Sequence, residues 1–123
     1  MEPEANHRKL VAWQEAIKLV ELVYLETASF PRQEVFGLVS QLRRAAVSIP
    51  ANIAEGAGRN STKELAHFLG IASGSKAELD THLEIAVRLG MLRTDSEVFK
   101  TLGRVSKLLI GLRRSLRQPA EVS

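Results

Sequence analysis

Cysteine is absent from this 123-residue sequence. That excludes disulfide staples, thiolate zinc sites and a cysteine nucleophile. Aromatic residues are scarce, at 5% with one Trp and one Tyr. They are too few for the stacking platform on which single-strand nucleic-acid binders lay successive bases. No run approaches the ~18 apolar residues of a membrane span. The opening MEPEANHRK is charged and lacks the apolar stretch of a secretory signal. The expectation is a cytoplasmic protein. No clean period-two run and no Asn-Gly or Asp-Gly between apolar runs occurs, so no strand is predicted. One long stretch, Val98 to Ala120, has neither Asp nor Glu, yet it contains Lys100, Arg104, Lys107, Arg113, Arg114 and Arg117.

What is present describes one soluble domain over residues 1–123. Hydrophobic residues make up 45% and charged residues 25%, ordinary values for a globular chain long enough to bury a core. The formal net charge is +3. A basic stretch favours an anionic partner, although a solvated helix face with cations near its C-terminal dipole has the same composition.

Four stretches keep a helical period. The first covers residues 6–29. Leu10, Trp13, Ile17, Val20, Tyr24 and Thr27 form its apolar face, and Phe30-Pro31 stops it. The second covers residues 33–57, with Leu38, Leu42, Ala45, Ile49 and Ile53 beside a polar stripe of Gln41, Arg44, Ser48, Asn52 and Glu55. The third covers residues 62–89. Leu65, Phe68, Ala72, Leu79, Leu83 and Ala86 form its core face, and Gly90 is suited to end it. The fourth covers residues 95–117, with Val98, Leu102, Val105, Leu109, Leu112 and Leu116 in alternating steps of four and three, and Pro119 beyond it. The predicted fold class is all-α, an antiparallel up-and-down four-helix bundle with the second helix kinked at Pro50.

The stretch SIPANIAEGAGRNS, residues 48–61, holds both the proline and a Gly-x-Gly. Proline at 50 removes the bond to the Ala46 carbonyl, and Ser48 and Asn52 are the side chains near enough to replace it. A bend that wraps the helix around its neighbours is the simpler reading. A polar pocket of Ser48, Asn52 and Glu55 is the functional one. GAGRNS is not a phosphate-binding P-loop, because no strand precedes it and no Gly-Lys-Ser/Thr follows. Gly56 and Gly58 are expected to supply positive-φ positions at the helix stop, and Ser61 with Glu64 a capping box. Arg59 and Lys63 beside the free N–H groups form a second basic patch.

No catalytic constellation is present. Glu64-Leu65-Ala66-His67 matches the Glu-x-x-His of di-iron bundles once, without a second copy, so no metal or other cofactor is predicted. No G-x-S-x-G or Ser/His/Asp set occurs, and an enzyme is not expected. Glu55 and Glu78 lie near small or apolar residues, and Arg43 and Arg44 are their natural counterions in a salt bridge or cap that fixes helix register.

Trp13-Gln14-Glu15-Ala16, Phe30-Pro31, the block Gly37 to Gly56 (GLVSQLRRAAVSIPANIAEG), Lys63-Glu64, Phe68-Leu69, Ala72, Gly74-Ser75 and Glu78-Leu79 together resemble a family of four-helix bundles. Its members are encoded by intervening sequences within bacterial 23S ribosomal RNA genes. The resemblance covers about residues 8–92. It implies a homopentamer with a central channel and no catalytic residues. It also implies a distant kinship to the accessory protein of diversity-generating retroelements, which partners a reverse transcriptase and binds nucleic acid through a basic surface. Under it Gln41, Arg44, Ser48, Pro50, Asn52, Glu55 and Glu78 are structural or interfacial.

Two functions follow. The first is a non-enzymatic oligomeric RNA-binding protein using Arg104, Lys107, Arg113, Arg114 and Arg117, with Arg59 and Lys63 as the second patch. The alternative is an oligomeric scaffold that binds a protein through Leu108, Ile110, Leu19, Leu22 and Val23, residues that would equally suit a subunit interface. Cations gathered in a ring or stripe favour RNA, and dispersed cations favour the scaffold.

Overall fold

A computed structural model describes residues 6–117, so Pro119 lies outside the described residues. Four helices account for most of it: α1 (Val11–Thr27), α2 (Ser40–Ala57), α3 (Thr62–Arg88) and α4 (Glu97–Arg117). No strand occurs among the described residues. Each helix packs on its neighbour in sequence, and α1 also packs on α4, which closes a four-helix bundle. Gly56 of α2 meets Leu65 and Phe68 of α3, while Ser48 meets Ser75. Glu26 of α1 reaches Ser96 before α4, while Glu15 reaches Arg104. In both pairs, contacts that move back along one helix move forward along the other.

Helix one starts later than expected. Asn6–Lys9 forms a 3-10 turn, and α1 proper begins at Val11. Its core face is also displaced by one residue from the predicted stripe. Ala12, Ala16, Leu19, Val23 and Thr27 are buried, whereas Ile17 and Tyr24 are exposed and Leu10, Trp13 and Val20 half-buried. One residue is a rotation of about 100°. The cause lies in α1 itself, where apolar side chains occur on nearly every side. Periodicity then selects no single face, and the small Ala12 and Ala16 let neighbouring helices approach.

The second segment departs most from expectation. Its first residues form a 3-10 turn, Arg32–Glu34, followed by one wide π turn, Val35–Val39, before α2 begins. Gly37 leaves helical geometry there, with φ −107° and ψ −106°. Within α2 the expected face holds. Leu42, Ala45, Ile49 and Ile53 are buried, as is Pro50 inside the helix. Among the described residues no side chain bonds the Ala46 carbonyl. Asn52 Nδ2 instead donates to the Ser48 carbonyl (2.8 Å) and Oγ (3.0 Å), and Ser48 Oγ bonds Ser75 Oγ across to α3 (2.8 Å). Glu55 turns to Arg59, so the three polar residues do not converge on a pocket.

The α2–α3 corner works differently from its sequence reading. Gly56 is helical and buried, and Gly58 caps α2 at φ −85°, so neither takes a positive φ. Ser61 Oγ accepts from the Glu64 N–H at 3.1 Å, which is half of the expected capping box. Gly90 does take the left-handed conformation, at φ 78°. The Gly90 N–H bonds the Val87 carbonyl (3.0 Å) and the Met91 N–H the Ala86 carbonyl (2.9 Å). These are the paired bonds of a Schellman stop.

The α4 seam is as read: Val98, Leu102, Val105 and Leu109 are buried, with Leu112 and Leu116 half-buried. Leu69 and Thr101 are among the buried residues that periodicity missed. Leu69 of α3 is fully buried, while Phe68 is only half-buried. Thr101 of α4 is buried and accepts from Arg104 Nη2 at 3.2 Å.

Candidate nucleic-acid interface

The bundle's connectivity decides which cations meet. The 3-10 turn Asn6–Lys9 packs on α2. The start of α1 (Leu10, Val11, Ala12) and the end of α4 (Gly111, Leu112, Ser115) line one groove. The corner Gly58–Ser61 joins the end of α2 to the start of α3. The guanidinium of Arg113 lies over Gly70 of α3, where an added Cβ would come within 3.7 Å of its Nη2. One end of the bundle therefore carries Arg113, Arg114 and Arg117 together with Arg59 and Lys63. The two basic patches read separately in sequence share it.

Arg8, Lys9 and His67 occupy the same end, and sequence reasoning missed them. Their signal was positional: helices joined by short corners bring the start of the first helix beside the end of the last. The Arg8 guanidinium sits 5.3 Å from the centre of the Trp13 ring, so this Trp face already carries a cation.

The helix-four cations do not form one surface. At about 100° per residue, Lys100 and Arg114 fall along the outward side and Arg113 and Arg117 toward α3, while Arg104 and Lys107 border the groove against α1. Arg104 pairs with Glu15, Nε to Oε1 3.0 Å, across to α1, and shares that carboxylate with Lys18. Arg59 is paired with Glu55 at 2.7 Å and lies over the Phe68 ring at 5.0 Å. Lys63, Lys107, Arg113, Arg114 and Arg117 have no carboxylate partner among the described residues. Of the seven cations expected from the sequence these five are without a carboxylate partner, whereas Arg104 and Arg59 are ion-paired.

Glu15 is the hub of the α1–α4 contact. Hydrogen bonds from Arg104 and then Lys18 hold its carboxyl below the ordinary 4.5, against the opposing effect of burial. A depressed folded-state pKa contributes stability that is present above the unfolded value and lost as pH falls through the folded one. Wild-type stability should therefore fall below about pH 4.5 partly through this group. In Glu15→Gln that component should be missing, with a flatter acid limb of thermal stability between pH 5 and pH 3. Identical acid limbs would show that the ion pair contributes nothing measurable, the usual fate of an exposed pair.

The residues expected to be structural have partners other than those assigned. Arg44 Nη2 donates to Gln41 Oε1 at 2.9 Å, and Arg43 Nε donates to Thr27 Oγ1 at 3.0 Å. Neither pairs with Glu55 or Glu78. Glu78 instead lies 3.4 Å from His82 Nε2. The Glu78 pair runs within α3 and the Glu55 pair ties the end of α2 to the corner that follows it, so neither fixes register between α2 and α3. The surface proposed for a protein partner is also revised. Leu19 and Val23 are fully buried, Leu22 and Leu108 half-buried, and only Ile110 is exposed.

Among the described residues no group of three His, Cys, Asp or Glu side chains could hold a metal ion. No helix there is long and apolar enough to cross a membrane.

No curated protein matches the chain. A model of the 23S rRNA-intervening sequence proteins matches residues 8–111, a span that takes in α1 to α3 and most of α4. An all-helical bundle with the SQLRRAAVSIPANIAEG block on its second helix, matched over that length, belongs to the 23S rRNA-intervening sequence protein family.

Proposed function

We propose that this protein binds RNA without catalysing a reaction, and that the basic end of the bundle holds the phosphate backbone. One observation carries the reading: Lys63, Arg113, Arg114 and Arg117, from two helices far apart in sequence, lie toward the same end of the bundle without carboxylate partners among the described residues. Cations so placed release counterions from a phosphate backbone and position it without reading bases. The scarcity of aromatic residues fits contacts to backbone and shape better than base stacking. Self-association as a homopentamer, which the family resemblance implies, would repeat the basic end and add avidity without new contacts. A cytoplasmic location belongs to the same proposal.

The test is a titration of labelled RNA from a 23S intervening sequence, beside a scrambled RNA, at several salt concentrations. Each phosphate contact contributes roughly 0.7–0.9 to the slope of log K against log salt. Arg113→Ser/Arg114→Ser/Arg117→Ser should lower that slope by roughly two to three and weaken binding at low salt. Arg88→Ser/Arg93→Ser, which removes cations paired with Glu84 and Asp95, should change little. Absence of binding at low salt would overturn the reading.

A further inference from the structure

At the far end of the bundle the α1–α2 connection leaves a second feature that the RNA reading does not use. A surface cavity of about 580 Å³ opens between the end of α1 and the start of α2. Tyr24, Phe30, Phe36 and Val47 line it together with Arg43 and Arg44. Its rim is apolar and open. Phe36 is 96% exposed, and Val35, Val47 and Tyr24 are exposed as well. The kink at Gly37 lies beside it: the backbone leaves helical geometry there, and Phe36, the residue before it, stands outside the bundle. Glu34 secures the turn by accepting from the Leu38 N–H.

The two arginines set the chemistry. Arg43 is half-buried and held on two sides. Its Nε donates to Thr27 Oγ1, which itself donates to the Val23 carbonyl, and its guanidinium lies 4.3 Å from the centre of the Tyr24 ring. The plane of the fork is fixed before any ligand arrives, so little side-chain entropy is lost on binding. Arg44 bonds only the neutral Gln41. Neither has a carboxylate partner among the described residues. Two guanidiniums beside an exposed Phe and a wall of Val and Tyr therefore lack an anion and an apolar cover at one place.

We propose that this shoulder docks an amphipathic segment of a partner protein that presents an apolar anchor and a carboxylate on one face. The anchor packs on Phe36 and Val47, and the carboxylate takes the paired donors of Arg43 and Arg44. Small molecules in formed pockets are mostly enclosed, whereas here the largest apolar group projects from the rim and only an extended surface covers it. Of the aromatic rings at the cavity, Phe30 is buried and Tyr24 is covered by the Arg43 guanidinium, which leaves Phe36 alone as a face for a nucleic-acid base to stack on. The site is independent of the basic end.

The probe is a fluorescently labelled helical peptide with Leu and Glu along one face, compared with the same peptide carrying Lys for Glu. Anisotropy titrations on the full chain should show the Glu peptide binding and the Lys peptide not. Phe36→Ser, at an exposed position that folding does not need, should weaken binding roughly tenfold or more. Arg43→Gln should do the same. Arg113→Ser/Arg114→Ser/Arg117→Ser should bind as the wild type does, which separates docking from attraction to a basic protein. Equal binding of both peptides, no binding, or loss only in the triple variant would overturn the proposal. Sedimentation of Phe36→Ser completes the test. An unchanged oligomeric state supports an external partner, and dissociation would mean that a second copy of this chain covers the shoulder.

Discussion

Leu19→Ala is expected to lower the unfolding free energy by about 2–5 kcal/mol, while Ile17→Ala, two residues away, changes it by less than about 1 kcal/mol. Leu19 is fully buried and Ile17 is 36% exposed. Truncating Leu19 removes the transfer free energy of its methyl groups and leaves a cavity in a packed interior that relaxes only in part. Truncating Ile17 removes groups already partly in water and replaces a β-branched residue with the best helix former. Urea unfolding of both variants decides the matter. A larger loss at Ile17 than at Leu19 would mean that α1 is rotated to the face its periodicity suggested. A loss at Ile17 that grows with protein concentration would instead report a subunit contact. The experiment thus tests the helix whose buried face is displaced from its sequence pattern.

That disagreement marks the limit of what periodicity can say. In α4 the seam was legible from Val98 to Leu109 because polar and charged residues fill the other side, so only one face could be buried. In α1 every side offers apolar groups, and the choice among faces is made by neighbours, which the local pattern does not contain. The π turn was illegible for a related reason. A helix-period pattern runs through Val35, Leu38 and Val39, and a backbone kink at one residue does not break it. Gly37 was the signal available, since a residue without Cβ tolerates departures from helical geometry.

The basic end was legible as residues and not as a place. Arg113, Arg114 and Arg117 stood out by the missing acids around them. That Arg59 and Lys63 join them follows only from how the helices connect. Composition also overstated the patch, because Arg104 counts as a free cation in sequence and is held by Glu15 in the bundle. The protein-binding surface failed in the opposite direction. Leu19 and Val23 are buried because the core face of α1 is displaced from the predicted stripe, and strongly exposed apolar residues such as Leu25, Phe36 and Leu89 were not among those expected.

Gly56→Val should be the most damaging change at the α2–α3 corner, with a loss of about 3 kcal/mol or more, and Gly56→Ala should lose about 1–3 kcal/mol. A helical Gly→Ala change ordinarily stabilises by roughly 0.5–1 kcal/mol through backbone entropy. Space reverses the sign here. A Cβ on Gly56 would lie 2.9 Å from Phe68 Cβ, 3.1 Å from Leu65 Cδ1 and 3.3 Å from the Leu65 carbonyl oxygen. A Cβ and a backbone oxygen cannot swing aside as a side-chain tip does, so α2 and α3 must separate. Gly56 is thus required for close approach, and not for the positive φ that its position before a corner suggested. Gly103→Ala and Gly111→Ala are the controls. Both sit on α4 with nothing within 4 Å of an added Cβ, and both should raise stability by roughly 0.5–1 kcal/mol. Thermal unfolding of the four variants checks the sign as well as the size. Stabilisation by Gly56→Ala would mean that the two helices stand further apart than described. Destabilisation of the α4 variants would mean that another chain packs against that face of the bundle.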